Sequence, residues 1–446
     1  MIAVSRLLLL IALGMPLVTG RLAAQEPPRP VPLTPARRAA LLDTTGRVIL
    51  RLYVLPDTAA LMAAHLAAQR AAGRFDSAAT PGALAAAVTR TLREVHRDLH
   101  LRVVYDPPEA ARMADTTRRE ARDTRARDRR TNYQFREARI LPGNIGYLEF
   151  HQFADTSVEA RRTVRAAMQF VAHADALVID LRDNRGGSAA MAGEIQSYFV
   201  QDSARWGRSY NRLTDRWSDG VVVNHPAVTG GTYLGMPITV LVSRWTYSAA
   251  EGLAYGLKYG RDARVVGEST GGGAHVVRRV SLGGGFIGFI PYIRSLNFKT
   301  NANWEGTGVA PDLEADAPDA LLRALEAILS ERMATAPDSG ARQAADFARH
   351  AARAEAGLTH VPAAALDAFV GAFEEYTFFV KDGRLHAANR SRNGRVDRLV
   401  PISATRFQID RESQVEFLVE PGGGVGRIRL YWSDGWIDRI DRTPAP

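Results

Sequence analysis

Three short apolar runs in the middle of the chain constrain its fold more than any other feature: ALVIDLR at 176–182, ITVLVS at 238–243 and ARVVGE at 263–268. Each is bounded by turn residues and offers little polar surface on either face. That is the pattern of a strand buried inside a mostly parallel sheet. Helical periodicity fills the intervals, over 155–172, 189–200 and 248–260. Strand and helix in alternation predict an α/β core over residues 142–330. A hydrophobic fraction of 46% and a charged fraction of 24% are enough to bury such a core and exclude wholesale disorder.

The flanks read differently. Residues 36–105 are mostly helical, with Pro81 suited to a first helical turn and the last helix running through LREVHRDLH to His100. A short strand, LRVVY, follows and is stopped by Pro107. Arg112 to Arg130 holds eight arginines and four acids without apolar period, so 106–141 is a charged linker or solvated helix. Residues 331–358 form a helical connector. From 359 to 446, short strands alternate with turns such as KDGR, NGR, PGGG and SDG, which predicts a small accessory β domain.

In Met1 to Ala24 one Arg precedes a charge-free run from Leu7 to Gly20, and small residues follow at Ala23 and Ala24. As a helix that run spans about 21 Å, short of a bilayer core. It reads as a signal peptide followed by a Pro-rich spacer at 25–35, and places the mature protein outside the cytoplasm, periplasmic or secreted, with no stable membrane span. The net charge of +9 does not point to nucleic acid, since no aromatic-studded basic groove accompanies it. The chain has no cysteine, which excludes disulfides, thiolate metal sites and a cysteine nucleophile. Lysine occurs only at Lys258, Lys299 and Lys381.

The best candidate for chemistry is Ser248. A buried strand, a short turn (RWTY) and Ser-Ala-Ala-Glu opening a helix put a hydroxyl beside free backbone N–H groups and the positive end of a helix dipole. Ser is also a favoured N-cap, so the plain reading is a cap. Asp183-Asn184-Arg185-Gly186-Gly187-Ser188 follows another buried strand and would expose N–H groups at the carboxyl edge of the sheet. The glycine run at 271–273 lacks the lysine and spacing of a phosphate loop. His96 and His100 at helical i,i+4 spacing suggest zinc, but Arg97 stands where an H-E-x-x-H motif has its glutamate, and no third ligand is evident.

In order along the chain, GNIGYLEF, ALVIDLRDNRGGS, SRWTYSAAEGLAYGLKYGRDARVVGESTGGGAH and NWEGTGVAPDL resemble the C-terminal processing (tail-specific) protease family. The likeness is greatest to its interphotoreceptor retinoid-binding-protein-like and tricorn-core branch, and it spans roughly residues 41–327. It implies a crotonase-like ββα serine-protease core with an N-terminal helical cap. Ser248 matches the nucleophile, and Ala249 N–H with Gly186 or Gly187 N–H matches the oxyanion hole. The tail-specific branch has a catalytic lysine where this chain has Gly273, and Lys258, ten residues along the same helix, lies about 15 Å from Ser248. The resemblance therefore implies the other arrangement, with His100 as base and Glu305 as its carboxylate. Gly272, Gly273 and His275 become substrate-binding candidates, with a structural role the other reading of His275, and His275 and His151 are reserve bases. Leu99 stands where the tricorn-type site has a serine next to the histidine.

The function implied is a serine endopeptidase acting on peptides or unfolded segments through an acyl-enzyme, with no cofactor and no metal. The alternative is a non-catalytic binder of apolar ligands or peptides on the same fold. Nothing in the sequence sets oligomeric state.

Overall fold

The computed structural model describes residues 33–114, 125–223 and 233–444. The signal-peptide expectation, residues 25–32 of the spacer and residues 115–124 of the charged linker lie outside the described residues. Among the described residues no helix is long and apolar enough to cross a membrane.

The N-terminal cap is built from α1 (Pro35–Leu52), α2 (Pro56–Ala71) and α3 (Pro81–Val95). Each starts with a proline at the first turn, where a missing N–H costs nothing. The strand β1 (Arg102–Tyr105) and α4 (Pro107–Ala114) complete it. The core follows: β2 (Phe135–Leu141), β3 (Ile145–Phe150), α5 (Val158–Phe170), β4 (Ala176–Asp180), α6 (Ala189–Gln196), β5 (Ser203–Asn211), β6 (Arg216–Val223), β7 (Ile238–Val242), α7 (Ala249–Arg261), β8 (Arg264–Gly267), β9 (Val276–Gly283), β10 (Phe286–Asn297) and β11 (Leu313–Glu314).

A six-stranded sheet runs β11-β8-β7-β4-β3-β2, parallel except for β2. Ile179, Val240 and Val265 are fully buried, as their apolar runs predict. A second sheet, β1-β10-β5-β6 with β9 paired to β10, was not anticipated as hairpins. Its β9–β10 hairpin supplies Leu282, Phe286 and Ile290 to the cap's apolar cluster around Leu41, Ile49, Met62 and Leu92. The cap thus closes its hydrophobic face on the hairpin that leads out of the core.

Helices α8 (Ala320–Thr335) and α9 (Ser339–Ala356) carry the chain to the C-terminal region, where nine further strands form a four-stranded and a five-stranded sheet. Phe373, Phe378, Phe407 and Phe417 pack between them. Gln414 Nε2 donates to Phe347 O at 3.0 Å and Arg406 pairs with Asp346 at 3.2 Å, which fastens this domain to α9. A cleft of about 1270 Å³ lies between α8–α9, the β2–β3 turn and this domain, and none of the candidate site residues lines it.

Replacing Phe417, 1% exposed and in contact with four phenylalanine rings, by alanine should cost the C-terminal domain about 3–5 kcal/mol. A urea melt followed by the domain's tryptophan fluorescence reads this directly, and an unchanged midpoint would contradict the packing described.

Candidate active site

The adjacent parallel strands β8, β7 and β4 end at one edge of the sheet. The loops that follow them, 268–275, 243–248 and 181–188, meet there, at the edge where open parallel sheets bind ligands. The β7 turn is stitched to the β4 turn. Thr246 Oγ1 donates to Leu181 O at 2.7 Å, Ser243 Oγ to Arg182 O at 2.5 Å, and Tyr247 N–H to Asn184 O at 3.0 Å.

Ser248 leaves this turn at φ 56° and ψ −122°. Thr34, Thr80, Ser157 and Ser188 cap other helices with φ between −71° and −128°, and their side chains accept a helix N–H. A positive φ at a residue with a Cβ costs roughly 1–3 kcal/mol. Ser248 is therefore held in a conformation that capping does not require.

What holds it is Glu251, at the third position of α7 and fully buried. Its Oε2 accepts the Ser248 N–H at 2.7 Å and the Gly273 N–H at 2.8 Å. Its Oε1 accepts the Gly272 N–H at 2.7 Å and the Thr270 hydroxyl at 2.5 Å. Burial pushes this carboxyl up to about 7, against four hydrogen bonds that favour its ionised form. Sequence reasoning passed over Glu251, although serine followed three residues later by glutamate is a recognisable helix-start signature.

Of the three oxyanion-hole candidates, Gly186 is corrected. Its N–H donates to Asn184 Oδ1 at 2.8 Å and is not available to a substrate. Its role is close approach: a Cβ there would lie 2.7 Å from Tyr247 O and 2.8 Å from Ser248 Cβ. The N–H groups of Gly187 and Ala249 meet no acceptor among the described residues.

Helix α3 ends at Val95 rather than continuing to His100. The reason is Asp98, whose Oδ1 accepts the His100 N–H at 3.0 Å and the Leu101 N–H at 3.3 Å and so offers the backbone an alternative to the helical ladder. The i,i+4 zinc geometry disappears with the helix, and His96 Nδ1 instead lies 3.0 Å from the Tyr53 hydroxyl. The His100 ring sits 4.7 Å from the ring of Tyr247, the residue before the candidate nucleophile. A Cβ built on Gly273 would lie 2.6 Å from His100 Cε1 and would strike the Tyr247 ring. The imidazole thus fills the volume that a side chain at 273 would occupy. His100 is 5% exposed, and burial lowers its pKa to about 4 despite the opposing charge of Asp98. Its Nδ1 is buried without a hydrogen-bond partner among the described residues.

Glu305 is not bonded to His100, contrary to expectation. Its Oε2 accepts the Ala274 N–H at 2.7 Å and the His275 N–H at 3.1 Å, and its Oε1 is buried without a partner. The imidazole that does have a carboxylate is His275, with Nδ1 2.8 Å from Asp98 Oδ2 and 3.6 Å from Glu305 Oε2. Of the substrate-binding candidates, the two glycines are corrected, and His275 takes the structural alternative. Gly272, Gly273 and His275 are buried, and the two glycine N–H groups are bound to Glu251. His151 is a half-buried partner of Glu149 at 3.5 Å. Lys258 Nζ is engaged by Ala310 O and Asp312, at 2.8 and 2.7 Å.

The ligand atoms of Asp98, His275 and Glu305 lie within 4.8 Å of one another. Asp98 nevertheless already accepts from two backbone N–H groups, Tyr53 and His275, and Glu305 Oε2 from two more N–H groups. The donors describe a hydrogen-bonded network rather than a coordination shell.

Residues 144–315 match peptidase family S41, and residues 32–139 match the N-terminal domain of peptidase S41 in eukaryotic IRBP. The chain belongs to peptidase family S41. Among solved structures it is similar to a lipoprotein from Streptococcus agalactiae, at 17% identity and TM-score 0.45 over 67% of this chain and 98% of that one. It is also similar to the photosystem II D1 C-terminal processing protease, at 15% identity and TM-score 0.43 over 64% and 94%. A third likeness, at 13% identity and TM-score 0.40, is to the tricorn protease, over 66% of this chain and 37% of that one. As an S41 member it is a serine peptidase with an α/β core, an N-terminal helical region and small C-terminal sheets.

The His100 environment makes a direct prediction. In a histidine NMR titration its imidazole should protonate with a midpoint near 4, because burial disfavours the cation. A midpoint near the ordinary value of about 6.5 would mean that the ring stands in water.

Proposed function

We propose that this S41 peptidase is an extracytoplasmic serine endopeptidase that cleaves peptides or unfolded segments with Ser248 as nucleophile and His100 as base. The observation that carries this reading is the interlock of His100 with Gly273. Where a serine–lysine site needs a long side chain, this chain has none, and an imidazole takes the space. In the proposed reaction Ser248 Oγ attacks the scissile carbonyl while His100 takes its proton. The Gly187 and Ala249 N–H groups receive the oxyanion. His100 then returns the proton to the leaving amine, and water hydrolyses the acyl-enzyme by the same route reversed.

The low pKa of His100 keeps it neutral, and so able to accept a proton, across the physiological range. The imidazolium formed during reaction would be steadied by Asp98, whose charge already acts on this ring. Leu99 offers no hydroxyl relay. Residues 1–24 would direct export, which can be read from the N-terminus of protein recovered after expression with the full leader.

Ser248→Ala and His100→Ala should each lower kcat/KM on an unstructured peptide substrate by about 10⁴-fold or more. Labelling by a fluorophosphonate should fall on Ser248. Hydrolysis that survives Ser248→Ala would remove the serine from its role. The acid limb of kcat/KM should appear near pH 7 rather than near 4. Glu251 takes up a proton as pH falls through about 7 and gives up acceptor capacity for the Ser248 and Gly273 N–H groups. Glu251→Gln should give a lower plateau without that limb, whereas an unchanged limb would assign it to another group.

A further inference from the structure

We infer that Asp98 and His275 are positioning residues: their buried side-chain pair latches the base-bearing turn of the cap to the loop beside the nucleophile and thereby sets where the His100 ring stands. The inference rests on the reading of Ser248 and His100 given above, and deepens it.

Both partners are withdrawn from water, with side chains 0% and 4% exposed. Asp98 spends its two oxygens in opposite directions. Oδ1 binds the backbone N–H of His100 and of Leu101, so the carboxylate is fixed relative to the base two residues on. Oδ2 faces out of the cap turn, where it accepts from Tyr53 at 3.1 Å and from His275 Nδ1 at 2.8 Å. A carboxylate only accepts, so Nδ1 carries the proton of that bond. His275 in turn belongs to the core. Its N–H, with that of Ala274, is held by Glu305, and two residues earlier Gly273 N–H is held by the glutamate that also holds Ser248.

The rest of the contact between cap and hairpin includes the apolar packing of Leu282, Phe286 and Ile290, the antiparallel pairing of β1 with β10, the bond from Val54 N–H to Pro291 O and the Arg279–Glu109 ion pair. These contacts seat the cap on the hairpin, but none of them is made to the loop at 268–275 beside the nucleophile. A buried, charge-assisted hydrogen bond is short and directional. His275 also sits immediately before β9, the strand that starts the hairpin on which the cap rests. The latch therefore joins cap and core at the level of the site. The His100 ring makes no hydrogen bond through Nδ1 that could do the same.

The test uses the full chain and reads the rate of fluorophosphonate labelling of Ser248 per folded molecule, together with kcat and KM on a peptide. His275→Leu should slow labelling and kcat by about 100-fold, the cost of an ångström-scale misplacement, with KM changed little. His275→Asn places an amide N–H₂ near the position of Nδ1 and should recover most of the rate. A merely structural pair predicts a lowered melting temperature, normal labelling per folded molecule and no selective rescue by Asn, and that result overturns the inference. Should His275→Leu fail to fold, the double variant Asp98→Asn/His275→Leu leaves no unpaired buried charge. It should fold and label slowly, and labelling at the wild-type rate would refute the latch. Failure of the underlying reading looks different: hydrolysis would persist in Ser248→Ala.

Discussion

One buried carboxylate organises the end of the sheet. Glu251 collects the N–H groups of Ser248, Gly272 and Gly273 and the hydroxyl of Thr270, so the start of α7 and the loop after β8 share a single acceptor. Burying an unpaired charge would be prohibitive, and four donors make this one tolerable. The same bonds fix Ser248 at its positive φ and turn both glycine N–H groups inward.

The cap adds a second layer. Its helices bury one face on the β9–β10 hairpin, and its last turn carries His100 across to Tyr247 and Gly273. Asp98 both ends α3 and reaches His275 in the core. A residue that breaks a helix here also supplies a buried bond between the two lobes, so local and long-range structure meet in one side chain.

Much of this was legible in the sequence, and the parts that were not have physical reasons. The parallel strands showed because their residues are apolar on both faces, and Ser248 showed because strand, turn and helix follow within a few residues. The β9–β10 and β5–β6 hairpins did not. Their exposed strands carry arginines such as Arg278, Arg279 and Arg208, which blur any period of two. The end of α3 was misplaced because helix propensity says nothing about a carboxylate that finds better donors in its own turn. Gly272 and Gly273 were read as facing substrate, and His275 as doing so or serving the structure, because the family resemblance places this loop opposite Ser248. Their inward orientation depends on Glu251 and Glu305, which lie 21 and 30 residues away in the chain from the N–H groups they hold. The carboxylate partner of His275 was invisible for the same reason, since 177 positions separate it from Asp98.

That long separation bears on how the protein comes into being. The two lobes that supply imidazole and alcohol emerge from synthesis far apart, and the amino-terminal lobe must wait for a hairpin near residue 290 before its greasy side is covered. On the proposed mechanism, a nascent or half-collapsed chain would carry a serine with no proton acceptor beside it. Completion of the tertiary structure would then itself act as the safety catch, switching hydrolysis on only once imidazole and alcohol have been brought together.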